Sequence, residues 1–113
     1  MPPMLDLTRA KEFAQEPEQL QLLLVTFEKS LANELFELRA AFYQRDALKA
    51  EYALHALKGF VPMFTGEVLG RAVIDFYAKS RHQVLEATES EFTTLASNLE
   101  LLLNEVRECL SAL

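Results

Sequence analysis

The chain has 113 residues and a net charge of −6, with half of its residues hydrophobic and a quarter charged. This composition is typical of one globular domain and excludes a disordered chain. It also argues against a nucleic-acid partner, because no basic stripe is present, and no apolar run is long enough to insert into a membrane. Only three glycines and four prolines occur, which together with abundant Ala, Leu, Glu and Lys predicts an all-helical fold.

The cysteine and the two histidines indicate the redox compartment and the absence of a metal site. The single Cys109 cannot form an internal disulfide, so we expect a reducing compartment and a cytoplasmic location. Its position in an apolar repeat indicates a small buried hydrophobic residue. The two histidines are far apart in the sequence and give no metal-ligand spacing with that cysteine, so we expect no metal site.

The N-terminal part predicts a short helix over residues 6–14. Asp6 is its expected N-cap, and Leu7 and Phe13 are expected to anchor it to the rest of the chain. Pro17 then stands between two glutamates. A proline at the first helical position with acidic neighbours indicates the start of a second helix.

The second helix is predicted to run to about Gln44. Its leucines and phenylalanines recur at three- and four-residue spacing and define one continuous apolar face: Leu20, Leu24, Phe27, Leu31, Leu35, Leu38 and Phe42. Asp46 is then expected to cap a third stretch that starts at Ala47. Pro62 cannot donate to the helical ladder, so that stretch should kink or end nearby.

Two more helices are predicted in the second half. Thr65-Gly66-Glu67 indicates a cap and a first-turn acid, and the helix that follows should end between Ser80 and Gln83. The last stretch has the most regular stripe: Leu85, Thr88, Phe92, Leu95, Leu99, Leu102, Val106, Cys109 and Leu113. The pattern predicts one domain over residues 1–113, an antiparallel four-helix bundle over 17–113 with a short helical extension over 1–15. A coiled-coil dimer is the rival interpretation of the last helix alone.

The stretch "HALKGF" at residues 55–60 places an ionisable group on an otherwise apolar helix. The helical period puts His55 on one face with residues one or two turns away: Glu51, Tyr52, Lys58, Gly59 and Pro62. Leu54, Leu57 and Val61 should face the core. Neutral imidazole is a competent nucleophile near pH 7. Lys58 could neutralise phosphoryl oxygens, and Gly59 leaves room for a partner to approach the ring.

The segment "HALKG" resembles the His-x-Leu-Lys-Gly signature of histidine phosphotransfer (HPt) domains. The resemblance extends over most of the chain, because an apolar helix and a short break ending in Asp46 precede the helix with the histidine. The sequence is similar in particular to the C-terminal phosphotransfer modules of bacterial hybrid sensor kinases. Such domains are four-helix bundles that relay phosphoryl groups between aspartates of receiver domains in two-component signalling.

The resemblance implies that His55 is the phosphoacceptor and that Lys58 lies beside the phosphoryl group. Many members have Gln or Glu on the third helix where Tyr77 stands here, and a tyrosine hydroxyl can still donate a hydrogen bond. The residues that would meet a receiver are Gly59, Glu51, Tyr52, Pro62 and Phe60. No ATP-binding domain or cofactor is expected in such a phosphocarrier, since Mg²⁺ belongs to the partner receiver.

Two alternatives to a phosphorelay carrier stay open at this point. The chain could be an adaptor that binds receivers without chemistry, or the substrate domain of a chemotaxis-type kinase. His82 belongs with Lys79 and Arg81 to a cationic cluster near a helix end, which the helix dipole explains, so we expect no catalytic role for it. The domain could also be the cytoplasmic end of a membrane-bound sensor kinase.

Overall fold

The computed structural model describes residues 3–113, which form an all-helical fold as the composition predicts. Within these residues, five α-helices follow one another: α1 (Thr8–Phe13), α2 (Pro17–Gln44), α3 (Ala47–Phe60), α4 (Glu67–Ser80) and α5 (Leu85–Ser111). A 3-10 turn, Val61–Phe64, lies between α3 and α4. The four longer helices contact each other in the cyclic order α2, α3, α4, α5 and back to α2.

The boundaries of α2 and α3 follow from local sequence signals. Pro17 occupies the first position of α2, and the side chain of Gln19 accepts a hydrogen bond from the Glu16 backbone N–H at 3.4 Å. At the other end, Arg45 adopts a left-handed conformation with φ of 57°, which ends the helix. The carboxylate of Asp46 then accepts from the Lys49 backbone N–H at 3.0 Å, so the predicted N-cap of α3 is confirmed.

The core is built from most of the predicted apolar stripes of the four long helices, but Leu113, the last residue of the α5 stripe, lies beyond the helix and is exposed. Leu31, Leu57 and Leu99 are fully buried and come from three different helices. Phe27 of α2 stacks on Phe64 of the 3-10 turn, with ring centroids 4.0 Å apart. Because the leucine stripes are buried within the chain, a coiled coil of the last helix alone is not required to cover them.

The connection between α3 and α4 differs in detail from the prediction. Pro62 lies in the 3-10 turn that ends α3, as expected for a residue without an N–H. Thr65, however, does not cap α4. Its side chain is buried and its hydroxyl donates to the Val61 carbonyl at 3.3 Å, which leaves Gly66 at the N-cap position.

The short N-terminal helix also departs from the prediction. It spans Thr8–Phe13 with Leu7, not Asp6, at the N-cap position, although the Asp6 carboxylate accepts from the Thr8 backbone N–H at 2.9 Å. Phe13 is 73% exposed, so its expected anchoring role is wrong, and Ala10 is the buried contact instead. Leu7 and Phe13 are six residues apart, and at 3.6 residues per turn such positions do not share a helix face.

Backbone contacts hold the segment before α1 in place. Leu5 forms an isolated antiparallel bridge with Thr65, and the Asp6 N–H donates to the Phe64 carbonyl at 2.8 Å. The Leu5 N–H donates to the Glu105 carboxylate at 2.7 Å. Residues 5 and 6 therefore join the 3-10 turn to the C-terminal part of α5. The residues from 3 to 113 include no helix long and apolar enough to cross a membrane.

Gly70 of α4 lies against the 3-10 turn. A Cβ atom at this position would lie 3.2 Å from the Pro62 Cβ and 3.3 Å from its Cα, which is tighter than ordinary contact. We expect Gly70→Val to lower the free energy of unfolding by about 1–3 kcal/mol through overpacking. Gly59→Val is the matched control, since a Cβ there meets nothing within 4 Å, and it should change stability by less than about 0.5 kcal/mol. Urea titrations compare the two, and equal losses would contradict the packing at Gly70.

A polar cluster joins the end of α4 to α5. Glu91 accepts from Lys79 at 3.0 Å and from Gln83 at 3.1 Å, and these hydrogen bonds, first that of Gln83, lower the pKa of its carboxyl. Because the pKa of Glu91 is lower in the folded protein, its ionised carboxylate stabilises the fold at pH values above the unfolded-state pKa of 4.5. That stability is lost as the pH falls through the folded-state pKa. Glu91→Gln should therefore melt below the wild type at neutral pH. The difference between the two melting temperatures should disappear as the pH falls from about 5 to about 3. Glu108→Gln, at the far end of α5, is the control, and a difference that does not depend on pH would contradict the prediction.

Candidate functional site

His55 lies in the middle of α3 with its side chain exposed. The helix phase is fixed by its neighbours, because Leu54 is 2% and Leu57 0% exposed. With those two leucines in the core, the histidine must point outwards at the helical period of 3.6 residues. The predicted division of α3 into a core face and a histidine face is therefore confirmed.

Tyr77 of α4 packs against the histidine from the neighbouring helix. The two ring centroids are 5.3 Å apart and the rings meet edge to face at 64°. The Nζ atom of Lys58 lies 5.0 Å from the centroid of the same tyrosine ring, a favourable position for a cation over an aromatic face. The structure thus brings together His55, Lys58 and Tyr77, the three residues expected to surround a phosphoryl group.

Arg81 is a fourth member of this group, and the sequence interpretation missed it. Its Cζ atom lies 5.9 Å from the Tyr77 ring centroid, and its Nε lies 3.3 Å from a carboxylate oxygen of Glu51. Arg81 stands one turn after Tyr77, so the same-face rule could have found it. The expectation that Arg81, with Lys79 and His82, only complements the helix dipole is therefore incomplete.

We call this group the His55 cluster: His55, Lys58, Tyr77, Arg81 and Glu51. The exposed imidazole and two cations all lie against one phenol ring, and one carboxylate is paired with the arginine. A shallow groove of about 360 Å³ lies beside the cluster and shares Glu51 and Arg81 with it. The arrangement can hold a small anion against the imidazole, and it leaves that anion open to a second molecule.

The residues predicted to meet a partner fall into two groups. Tyr52 is 67% exposed, and Gly59 is exposed with open space where a Cβ would lie. Phe60 is only half-buried and its ring meets Phe27 edge to face at 5.6 Å. Pro62 is half-buried against Gly70 of α4. The exposed surface near His55 is therefore formed by Tyr52 and Gly59, and Phe60 and Pro62 belong partly to the packing of the fold.

His82 and Cys109, the other candidate side chains, do not belong to the His55 cluster. His82 is exposed, and its backbone N–H donates to the Lys79 carbonyl at 3.0 Å. Cys109 is half-buried and not fully buried as the stripe predicts, because α5 nears its end there. Within the described range 3–113, no group of three His, Cys, Asp or Glu side chains is arranged to hold a metal ion.

Comparison with known proteins adds no relative. No family model, no curated protein and no solved structure matches this chain. The function must be inferred from the chemistry of the His55 cluster and its position in the helical fold.

Proposed function

We propose that the chain is a histidine phosphotransfer domain, in which His55 accepts a phosphoryl group from the aspartate of one receiver domain and passes it to another. The observation that supports this most is the cluster itself: an exposed imidazole, with Lys58 and Tyr77 on the same side and within contact of one another. The helices involved are consecutive, and their short connections fit an antiparallel four-helix bundle over residues 17–113.

The reaction requires only a nucleophile and a charge partner from this chain. The unprotonated ring nitrogen of His55 donates its electron pair to the phosphorus of an aspartyl phosphate. The phosphorus–oxygen bond to the aspartate breaks, its electrons return to the carboxylate, and the proton on the second ring nitrogen passes to water. Lys58 neutralises the oxygens of the group in transit. The reverse reaction delivers the group to the next receiver.

The surroundings of His55 favour a macromolecular partner. An anion at the imidazole would stay accessible, because Gly59 and Tyr52 form an exposed surface next to it. Lack of a side chain at Gly59 lets a partner's backbone approach closely. Partners of this kind are receiver domains of response regulators or of a bacterial hybrid sensor kinase, and they supply the Mg²⁺. The proposed location is the cytoplasm, either alone or as the cytoplasmic end of a sensor kinase.

The proposal is tested by direct phosphorylation. Wild-type protein is incubated with phosphoramidate, and its intact mass is recorded before and after brief acid treatment. We expect the gain of one phosphoryl group and its loss in acid, since a phosphorus–nitrogen bond is acid-labile whereas a serine or threonine ester is not. A folded protein that gains no mass, or gains only an acid-stable group, would contradict the proposal.

A second candidate function is an adaptor that binds receivers without chemistry. It is favoured by the exposed apolar side chains of Leu48 and Tyr52, 58% and 67% exposed, on the helix that contains His55. An exposed apolar surface of this kind can bind a receiver domain without any transfer of a phosphoryl group. The adaptor predicts that receiver binding survives His55→Gln and that phosphoramidate leaves the mass unchanged. The third possibility, a substrate domain of a chemotaxis-type kinase, predicts phosphorylation by a separate ATP-dependent kinase.

A further inference from the structure

We infer that Arg81 is a positioning residue that changes partner during the reaction, from the Glu51 carboxylate in the resting protein to the phosphoryl group on His55. The inference rests on the proposed phosphotransfer at His55. Arg81 and His55 contact the same Tyr77 ring, at 5.9 Å and 5.3 Å from its centroid. The guanidinium and the imidazole therefore share one neighbouring ring. The only ion pair of Arg81 among the described residues is with Glu51, at 3.3 Å, and Glu51 lies one turn before His55 on α3.

Breaking the resting ion pair costs little. The side chains of Arg81 and Glu51 are 57% and 40% exposed, and ion pairs at such positions contribute little to stability. A phosphoryl group carries up to two charges and three strong acceptor oxygens, and the planar guanidinium binds such a group with two parallel hydrogen bonds. The phosphoryl group therefore competes successfully with a single carboxylate.

Phosphorylation itself weakens the resting pair. Glu51 lies one turn before His55 on α3, where like charges repel each other. A new anion on His55 disfavours the nearby carboxylate and attracts the guanidinium at the same time. In the resting protein, Glu51 holds Arg81 beside the site and partly neutralises it, and the paired arginine becomes available when the anion arrives.

The exchange predicts opposite effects for the two members of one ion pair. Arg81→Ala should slow phosphorylation of His55 by phosphoramidate about tenfold, because it removes an exposed, charge-assisted bidentate contact to the phosphoryl group. Arg81→Lys should recover the rate to within about threefold, because the charge remains without the planar geometry. Glu51→Gln should raise the rate about two- to threefold, since it frees the arginine and removes a repelling charge. A purely structural ion pair would make Arg81→Ala and Glu51→Gln behave alike.

The control is the Arg45–Glu89 pair, which has nearly the same exposure, 58% and 41%, at a distance of 2.7 Å. Arg45→Ala and Glu89→Gln should leave the phosphorylation rate unchanged. Nitrogen-15 NMR gives a second readout, because the Arg81 Nε–Hε signal should shift when the wild type is phosphorylated. Equal rates for Arg81→Ala and wild type, or an unmoved Arg81 signal, would overturn the exchange alone. A wild type that phosphoramidate does not modify would overturn both the exchange and the proposed function.

Discussion

His55→Gln should abolish acid-labile phosphorylation by phosphoramidate, with a fall of at least about a hundredfold in rate, because glutamine has no nucleophilic ring nitrogen. The substitution should not disturb the fold, since His55 is exposed and the neighbouring leucines hold α3 in the core. Intact mass spectrometry measures the phosphoryl group, and circular dichroism checks that the variant stays helical.

His82→Gln is the matched control for that experiment. His82 is also exposed and also has a lysine within three residues, but it makes no ring contact with Tyr77 among the described residues. The variant should be phosphorylated as fast as the wild type. Loss of the acid-labile group in His82→Gln, or its persistence in His55→Gln, would place the reactive histidine elsewhere and contradict the proposed site.

Leu57→Ala should produce the largest loss of stability, about 2–5 kcal/mol in the free energy of unfolding. Leu57 is fully buried and stands two residues after His55, on the opposite side of α3. Its truncation removes apolar contact and leaves a cavity among the helices. Urea denaturation followed by circular dichroism measures the change, and the midpoint should fall without a change in slope.

Leu48→Ala is the same substitution on the exposed side of the same helix. Leu48 is 58% exposed, so its truncation should cost less than about 1 kcal/mol. The difference between the two variants reports the rotation of α3 about its axis. If Leu48→Ala cost as much as Leu57→Ala, α3 would be rotated and His55 would not face solvent as described.

The helices could be predicted because their signals are local. Asp46 caps α3 through its own carboxylate, and Pro62 ends it through the missing N–H, so neither depends on distant residues. Apolar periodicity likewise predicts that His55 points outwards, since the phase of a helix does not depend on its packing partners. Tyr77 could be named as a neighbour of His55 only from the resemblance, because the approach of α4 to α3 is a tertiary contact.

The parts that could not be predicted depend on contacts between distant segments. The backbone of Leu5 pairs with the backbone of Thr65 and donates its N–H to the Glu105 carboxylate, and no local sequence pattern encodes such long-range pairing. Thr65 looked like a helix cap, but burial directs its hydroxyl to the Val61 carbonyl. The pairing of Arg81 with Glu51 is also a tertiary contact and is visible only in the fold, whereas the sequence alone explains a cation near a helix end by the dipole.

Transfer of the phosphoryl group to a receiver is the most direct test of a relay. Wild-type protein is phosphorylated with phosphoramidate, separated from the donor, and mixed with Mg²⁺ and each purified receiver domain encoded in the same genome. We predict that the phosphohistidine signal falls faster with at least one receiver, and that an equal amount of phosphoryl group appears on that receiver. If the phosphohistidine decays at the same rate with and without every receiver, the chain is not a phosphorelay carrier.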